Sequence, residues 1–370
     1  MLLRTFGWSM GVTVLGLVFA AWVWGWEAFG VVLILSVLEI SLSFDNAVVN
    51  AGILKRMNPF WQRIFLTVGV LIAVFGMRLV FPVVIVAISA RVGPVEAVRL
   101  AVDDPDRYEA LVTDAHPAIA AFGGMFLLMI FLEFILAERE ITWLTWVERP
   151  LARLGRIDLL APCAALIVLL MAATTVAGQA HVSTGHADKA ATVLLAGVAG
   201  LVTYLAVGGL SSHFEHRIEA EEEREHEEER RAGPKGGRPV AALAGKAAFF
   251  LFLYLEVLDA SFSFDGVIGA FEITNHSFWM ALGLGIGALY VRSLTVYLVR
   301  QGTLDDYVYL EHGAHYAIGA LSVILLVTIR YELNEVVTGL VGVVLIASSF
   351  LASVRRNRAL AAAGEAPTGT

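Results

Sequence analysis

The chain has 370 residues, of which 58% are hydrophobic and 16% charged, with a mean hydropathy of +0.74. Soluble domains carry about 25% charged residues, so this composition excludes one or two soluble globular domains and indicates a polytopic membrane protein. The formal charge of −8 describes one acidic stretch and makes no case for a nucleic-acid partner, and the single cysteine, Cys163, excludes a disulfide framework or a cysteine-based zinc site.

Ten apolar stretches follow in chain order, roughly 6–26, 29–54, 64–90, 117–136, 159–177, 190–210, 240–271, 278–299, 316–335 and 336–354. Most approach the roughly 20 residues a helix needs to cross the hydrocarbon core. They are too long and too uniformly apolar for barrel strands. The first lacks a clear small-x-small cleavage site and is read as a helix rather than a signal peptide. The predicted fold is therefore an all-α polytopic membrane protein with about ten transmembrane helices.

Lysines and arginines alternate with this count. Nineteen fall in even-numbered segments, among them Arg4, Lys55, Arg139, Arg149, Arg153, Arg156 and Arg355, against five in odd-numbered loops. The positive-inside rule then puts both termini in the cytoplasm, with the bacterial inner membrane as the expected location. Trp22, Trp24, Trp26, Trp143 and Trp146 sit at span ends, where an aromatic belt is expected. The expected organisation is a membrane half at 1–210, an acidic cytoplasmic linker at 211–240, a second membrane half at 241–356 and a flexible tail at 357–370.

The two halves contain a duplication. SVLEISLSFDNAVV (residues 36–49) aligns without gaps on EVLDASFSFDGVIG (residues 256–269), with six of fourteen positions identical and Glu39 opposite Asp259. Gly69 and Arg78 match Gly283 and Arg292 at a constant offset. HPAIAAF (residues 116–122) matches HYAIGAL (residues 315–321), and the same offset carries Glu133 onto Glu332. Spans 2–4, in residues 29–137, thus repeat as spans 7–9. A shift of five spans is odd, so the copies cross the bilayer in opposite directions. Inverted repeats meeting at polar helices are an architecture of secondary transporters.

Seven charges lie inside these repeats: Glu39, Asp45 and Arg78 in the first, Glu256, Asp259, Asp265 and Arg292 in the second. A lone charge at the bilayer centre costs roughly 2.5–3.5 kcal/mol on insertion scales, so these groups must face one another or water. Five acids against two arginines leave three negative charges, which protons or a bound cation would balance. At 100° per residue Glu39, Ser43, Asn46 and Asn50 fall within about 60° of one another, and Glu256, Asp259, Ser263 and Gly266 form the equivalent stripe. Asp45 and Asp265 point roughly 120° away. Either they face a second neighbour, such as Arg78 and Arg292, or the helix unwinds at Ser-Phe-Asp, which Gly266 makes cheaper in the second copy.

The candidate ligands, Glu39, Ser43, Asp45, Asn46, Glu256, Asp259, Ser263 and Asp265, are hard oxygen donors. They suit Mg²⁺, Ca²⁺ or Mn²⁺ better than Cu⁺ or Zn²⁺. Arg78 and Arg292 are read as charge-pairing or gating groups. Weaker candidates are Glu311, His312 and His315, an E-H-x-x-H cluster at a span start, with His116, Glu133 and Glu332.

The segments LEISLSFDNAVVNAGILKRM, FGMRLVFP, LDASFSFDGVIGAF and YLEHGAHYAIGAL resemble the TerC-like, or tellurium-resistance, integral membrane proteins. More closely they resemble a bacterial branch catalogued as a domain of unknown function. The family's E-x-x-x-x-x-D-N signature is met by Glu39, Asp45 and Asn46. The second copy departs from it, with Asp259 for Glu and Gly266 for Asn. The resemblance implies a carrier in a superfamily of cation and small-solute exporters and adds manganese to the expectation of a hard divalent cation.

The expected function is therefore a secondary transporter exporting a divalent cation, Mn²⁺ before Ca²⁺ or Mg²⁺, with proton coupling as one route to charge balance. The expected partners are the lipid bilayer and the transported cation. The alternatives are a non-transporting membrane component of an envelope or tellurite stress complex, and an amino-acid or small-solute exporter. An enzyme acting on lipid pyrophosphates is disfavoured, because the site is net negative and lacks a phosphate-binding loop.

Overall fold

The computed structural model describes residues 2–55, 57–69, 71–89, 92–139, 141–157, 159–176, 190–208, 245–274, 276–301, 307–331, 333 and 335–362. Among them the chain is helical, without strands. The predicted linker at 211–240 lies outside the described residues.

The helices are α1 (Leu2–Trp24), α2 (Trp26–Leu42), α3 (Phe44–Leu54), α4 (Pro59–Ile64), α5 (Phe81–Ser89), α6 (Pro94–Asp103), α7 (Pro105–Leu136), α8 (Thr145–Leu154) and α9 (Leu160–Met171). After them come α10 (Ala190–Gly208), α11 (Gly245–Ile273), α12 (Ser277–Gln301), α13 (Leu310–Thr328) and α14 (Glu335–Ala362). Between α4 and α5 the chain runs as two π-helical stretches, Phe65–Gly69 and Ile72–Val80.

Seven helices among the described residues are long and apolar enough to cross a membrane: Phe6–Trp24, Pro59–Gly76, Pro105–Leu136, Ala190–Gly208, Ser277–Val299, Leu310–Thr328 and Leu340–Leu360. The chain is thus an all-α, multi-pass membrane protein. Three predicted spans differ from a plain apolar helix for identifiable reasons. Span 2 is divided at Ser43 into α2 and α3. Span 5 is a shorter apolar helix, Leu160–Thr174. Span 7, α11, has 29 residues but carries Lys246, Glu256, Asp259, Asp265 and Glu272.

Several boundaries shift. Span 4 was expected to start at Pro117, but α7 starts twelve residues earlier, where Asp104 accepts the Arg107 N–H as a cap and Pro105 opens the first turn. The helices α6 and α8 form where loops were expected. The last two spans part between Thr328 and Glu335, and α14 continues to Ala362, so residues 357–362 of the predicted tail are helical.

In a bilayer, helices associate through close packing rather than exclusion from water. α7 is the best-packed span, with Met125, Phe126, Leu127 and Met129 fully buried. It lies against α13, its repeat partner, and against α11, while α13 packs on α3. Likewise α12 packs on α2 and α3, while α11 packs on the Ile72–Val80 stretch. These contacts between the copies answer one another, the pattern that a two-fold relation between copies produces. α1 stands outside the repeat and packs on α12, where Ser9 Oγ lies 2.6 Å from Ser293 Oγ and donates to the Leu289 carbonyl at 3.1 Å.

The approach of α2 to α12 positions Glu39. A Cβ on Gly283 would lie 2.6 Å from Leu35 Cβ, and one on Gly287 would lie 2.5 Å from both Cβ and Cγ of Glu39. Two glycines four residues apart leave a flat strip that admits the neighbouring backbone. This strip sets the depth at which Glu39 enters the protein.

Candidate ion site between the two repeats

Glu39, near the end of α2, is 3% exposed. Its Oε1 accepts the Ser43 hydroxyl at 2.9 Å, and its Oε2 would stand 3.0 Å from a Cβ at position 266. The carboxylate therefore reaches from the first copy onto the backbone of α11 in the second. Gly266 acts as a cradle rather than a point of unwinding. Where unwinding at Ser-Phe-Asp was expected to be cheaper in the second copy, α11 runs unbroken from Gly245 to Ile273. The break falls in the first copy, at Ser43 (φ −100°, ψ 16°), and spans a single residue: the Ser43 N–H still bonds the Glu39 carbonyl at 2.9 Å.

Across from Glu39, Arg292 of α12 is buried among acceptors and an aromatic face. Its Nη2 donates to Asp259 Oδ2 at 3.0 Å and to the Gly69 carbonyl at 3.3 Å, and lies 3.8 Å from Glu256 Oε1. Its guanidinium carbon sits 3.8 Å from the centre of the Phe65 ring, a cation–π contact strengthened by the absence of water. Gly69 makes room for this group, since a Cβ there would lie 2.7 Å from Glu256 Oε1 and 3.3 Å from Arg292 Nη1. Gly69 and Gly283 are repeat partners, so each copy uses a glycine of the same register for a close approach.

Glu39, Ser43, Asn46, Asp259 and Arg292, with Ala73, Ala288 and Val291, enclose a cavity of about 10 Å³. That volume matches one water-sized guest. Its polar wall comes from both copies. Glu256 and Asn50 extend the polar zone: both Glu256 oxygens and both Asn50 amide atoms are buried without a hydrogen-bond partner. If ionised, Glu39, Glu256 and Asp259 against Arg292 give a formal charge of −2.

The structure thus brings together Glu39, Ser43, Asn46, Asp259 and Arg292, with Glu256 adjacent. The side chains of Asp45, Arg78, Ser263 and Asp265 lie outside the described residues, as does Glu332. Arg292, one of the groups considered as a neighbour for Asp265, donates to Asp259. Among the described residues no group of three or more His, Cys, Asp or Glu side chains is placed to hold a metal ion. The guanidinium of Arg292 occupies the space between Asp259 and Glu256.

The E-H-x-x-H cluster does not converge on a ligand. His312 Nε2–H donates to the Ile141 carbonyl at 3.0 Å, and His315 Nδ1–H donates to the Glu311 carbonyl at 2.8 Å. Phe134 stacks on His315 at 3.8 Å, Arg139 covers Phe134 at 3.8 Å, and Glu311 lies 3.5 Å from Arg139. These contacts clamp the ends of α7 and α13. His116 is half-buried within α7. Glu133 accepts the Tyr204 hydroxyl at 2.6 Å, tying α7 to α10.

Two features were missed from sequence. Glu148, in α8, is 6% exposed and accepts the N–H groups of Trp143 and Leu144 at 3.1 and 2.9 Å and the Tyr316 hydroxyl at 3.2 Å. Its Oε2 lies 3.6 Å from His312 Nε2. No spacing signal marks it, because its partners are loop amides and a distant span. The second is the close packing at glycines 283 and 287: Gly283 was read only as the repeat partner of Gly69, and the run GLGIG (residues 283–287) carried a signal that a charge-centred reading passes over.

A family model described as "Protein of unknown function (DUF475)" matches residues 44–360. No curated protein and no solved structure matches the chain. The match begins one residue after Ser43 and takes in Asn46, Glu256, Asp259 and Arg292.

Proposed function

The chain belongs to the family described as Protein of unknown function (DUF475), and we propose that it is a secondary transporter that exports a divalent metal cation, manganese first among them, in exchange for protons. One observation carries this reading: Glu39 from one repeat and Asp259 from the other bound a single buried cavity. The described charges sum to −2, a deficit that one divalent cation or two protons would remove. Alternation between those two fillings is what an exchanger needs. Carboxylate, hydroxyl and amide oxygens form a hard donor set that suits manganese, calcium or magnesium.

The size of the cavity favours an ion over an amino acid or other small solute, because about 10 Å³ holds one water-sized guest. Arg292 serves as the resident counter-ion of Asp259 and Glu256 when no metal is held. The TerC-like motif around Glu39, Asp45 and Asn46 supports the same reading. The bias of lysine and arginine supports a bacterial inner-membrane location with both termini cytoplasmic. None of these roles calls for an enzymatic step.

The test is flux in proteoliposomes loaded with a manganese-quenched dye and a pH reporter. Wild-type protein is expected to move Mn²⁺ against a proton flux. Glu39→Gln and Asp259→Asn should each lower the rate by about 10–100-fold, at least the loss seen when a supporting group of a metal site is removed. Wild-type rates no faster than those of protein-free vesicles would overturn the proposal.

A further inference from the structure

A second polar site lies away from the repeat interface, where α7, the segment after it and α8 meet. A cavity of about 440 Å³ is lined there by Arg139, Arg149, Arg153 and Arg156 together with Glu138 and Glu148. Both acids are already engaged. Glu138 Oε1 accepts Arg156 Nε and Nη2 at 2.9 and 2.6 Å, and the Glu148 carboxylate is taken by two loop amides and Tyr316. Arg139 is shared between Glu311 and the Phe134 ring. Arg149 and Arg153 have no carboxylate partner among the described residues.

These two arginines are one helical turn apart, so they project from the same face of α8, and Trp146 lies within about 60° of both. Trp146 is 79% exposed, and Leu154, Ile157 and Leu159, in and just beyond α8, are 50–73% exposed. A short helix with exposed tryptophan and aliphatic groups beside two unpaired guanidiniums suits the membrane–water interface, where indole rings sit at headgroup level. A soluble anionic partner would leave the aliphatic groups in water. The chain places this cluster on the side that the lysine and arginine bias predicts to be cytoplasmic, where anionic lipids concentrate.

We propose that this pocket binds the phosphodiester headgroup of an anionic phospholipid, with Arg149 and Arg153 holding the phosphate and Trp146 packing beside the glycerol esters. Paired guanidiniums match phosphate oxygens in a fork geometry that lysine does not reproduce. The site is independent of the cation site, which lies between the repeats and shares no residue with it.

The test is native mass spectrometry of the full-length protein in detergent, titrated separately with phosphatidylglycerol, phosphatidylcholine and inorganic phosphate. Phosphatidylglycerol adducts are expected on wild type. Arg149→Gln with Arg153→Gln should weaken them about 30-fold, from roughly five-fold per basic group at a membrane surface. Arg149→Lys with Arg153→Lys, which keeps the charge and guards against misfolding of the neutral pair, should retain part of the binding. Arg63→Gln, an exposed arginine elsewhere, should retain all of it. Equal adducts on wild type and both double variants would overturn the site. Equal retention of phosphatidylcholine would overturn its charge basis. Saturation of the pocket by inorganic phosphate at concentrations matching the lipid would overturn the lipid assignment.

Discussion

Replacing Arg292 by glutamine is expected to cost about 3–5 kcal/mol of stability, the range for removing one partner of a buried ion pair. The guanidinium is the only described cation within reach of Asp259 and Glu256. Without it, Asp259 loses a 3.0 Å charge-assisted bond, and Glu256, whose oxygens already lack a hydrogen-bond partner, loses its nearest positive charge. The cost comes from the acids left behind rather than from the arginine itself. In a background of Glu256→Gln with Asp259→Asn, the same Arg292→Gln change should therefore cost below about 1.5 kcal/mol, the ordinary worth of a hydrogen bond. Unfolding titrations of the four proteins form the cycle that isolates the coupling. An equal penalty in both backgrounds would mean that Arg292 acts through packing on Phe65 and not through charge.

Gly287→Ala is expected to abolish most transport without touching a charge. The added Cβ would lie 2.5 Å from Glu39 Cβ and Cγ and 3.0 Å from the Ser36 carbonyl. Backbone on one side and the stem of Glu39 on the other leave no flexible tip to yield, so α2 must move off α12. Overpacking of this kind costs about 1–3 kcal/mol. A displacement near 1 Å at a reacting group costs about 100-fold in rate, and Glu39 would be displaced directly. Gly30→Ala on α2, the helix that carries Glu39, is the control, because nothing lies within 4 Å of a Cβ there. It should leave flux unchanged and add up to about 1 kcal/mol through helix propensity. Equal flux in the two variants would remove Glu39 from the transport path.

Much of the candidate site was legible because charges inside a membrane are costly and helical geometry fixes which of them share a face. Glu39, Ser43 and Asn46 were read as one stripe and are found on one cavity, with Asp259 opposite as the alignment of the copies required. The pairing of α7 with α13, and of α12 with α2 and α3, joins the two copies of the duplication, but which spans would pair was not read from the sequence. What stayed illegible depends on contacts between distant segments. Gly266 looked like a weak point in a helix because its lack of a Cβ also favours unwinding. In the folded chain that space is filled by Glu39 of the other copy. Residue 117 was read as a span start because the apolar run begins there, yet α7 passes through Pro117 and takes its cap from Asp104. His312 and His315 have ligand spacing, but Phe134 and the loop carbonyl at Ile141 use them as a clamp. Glu148 is recognised only once its loop has closed around it.

The most direct measurement is anomalous scattering at the manganese absorption edge from protein prepared with Mn²⁺. A peak is predicted in the cavity between α2 and α11, with oxygens of Glu39 and Asp259 at about 2.0–2.6 Å, the range for hard divalent cations. Manganese density confined to other parts of the chain, with Asp259 still paired to Arg292 and the cavity holding only water, would contradict the account.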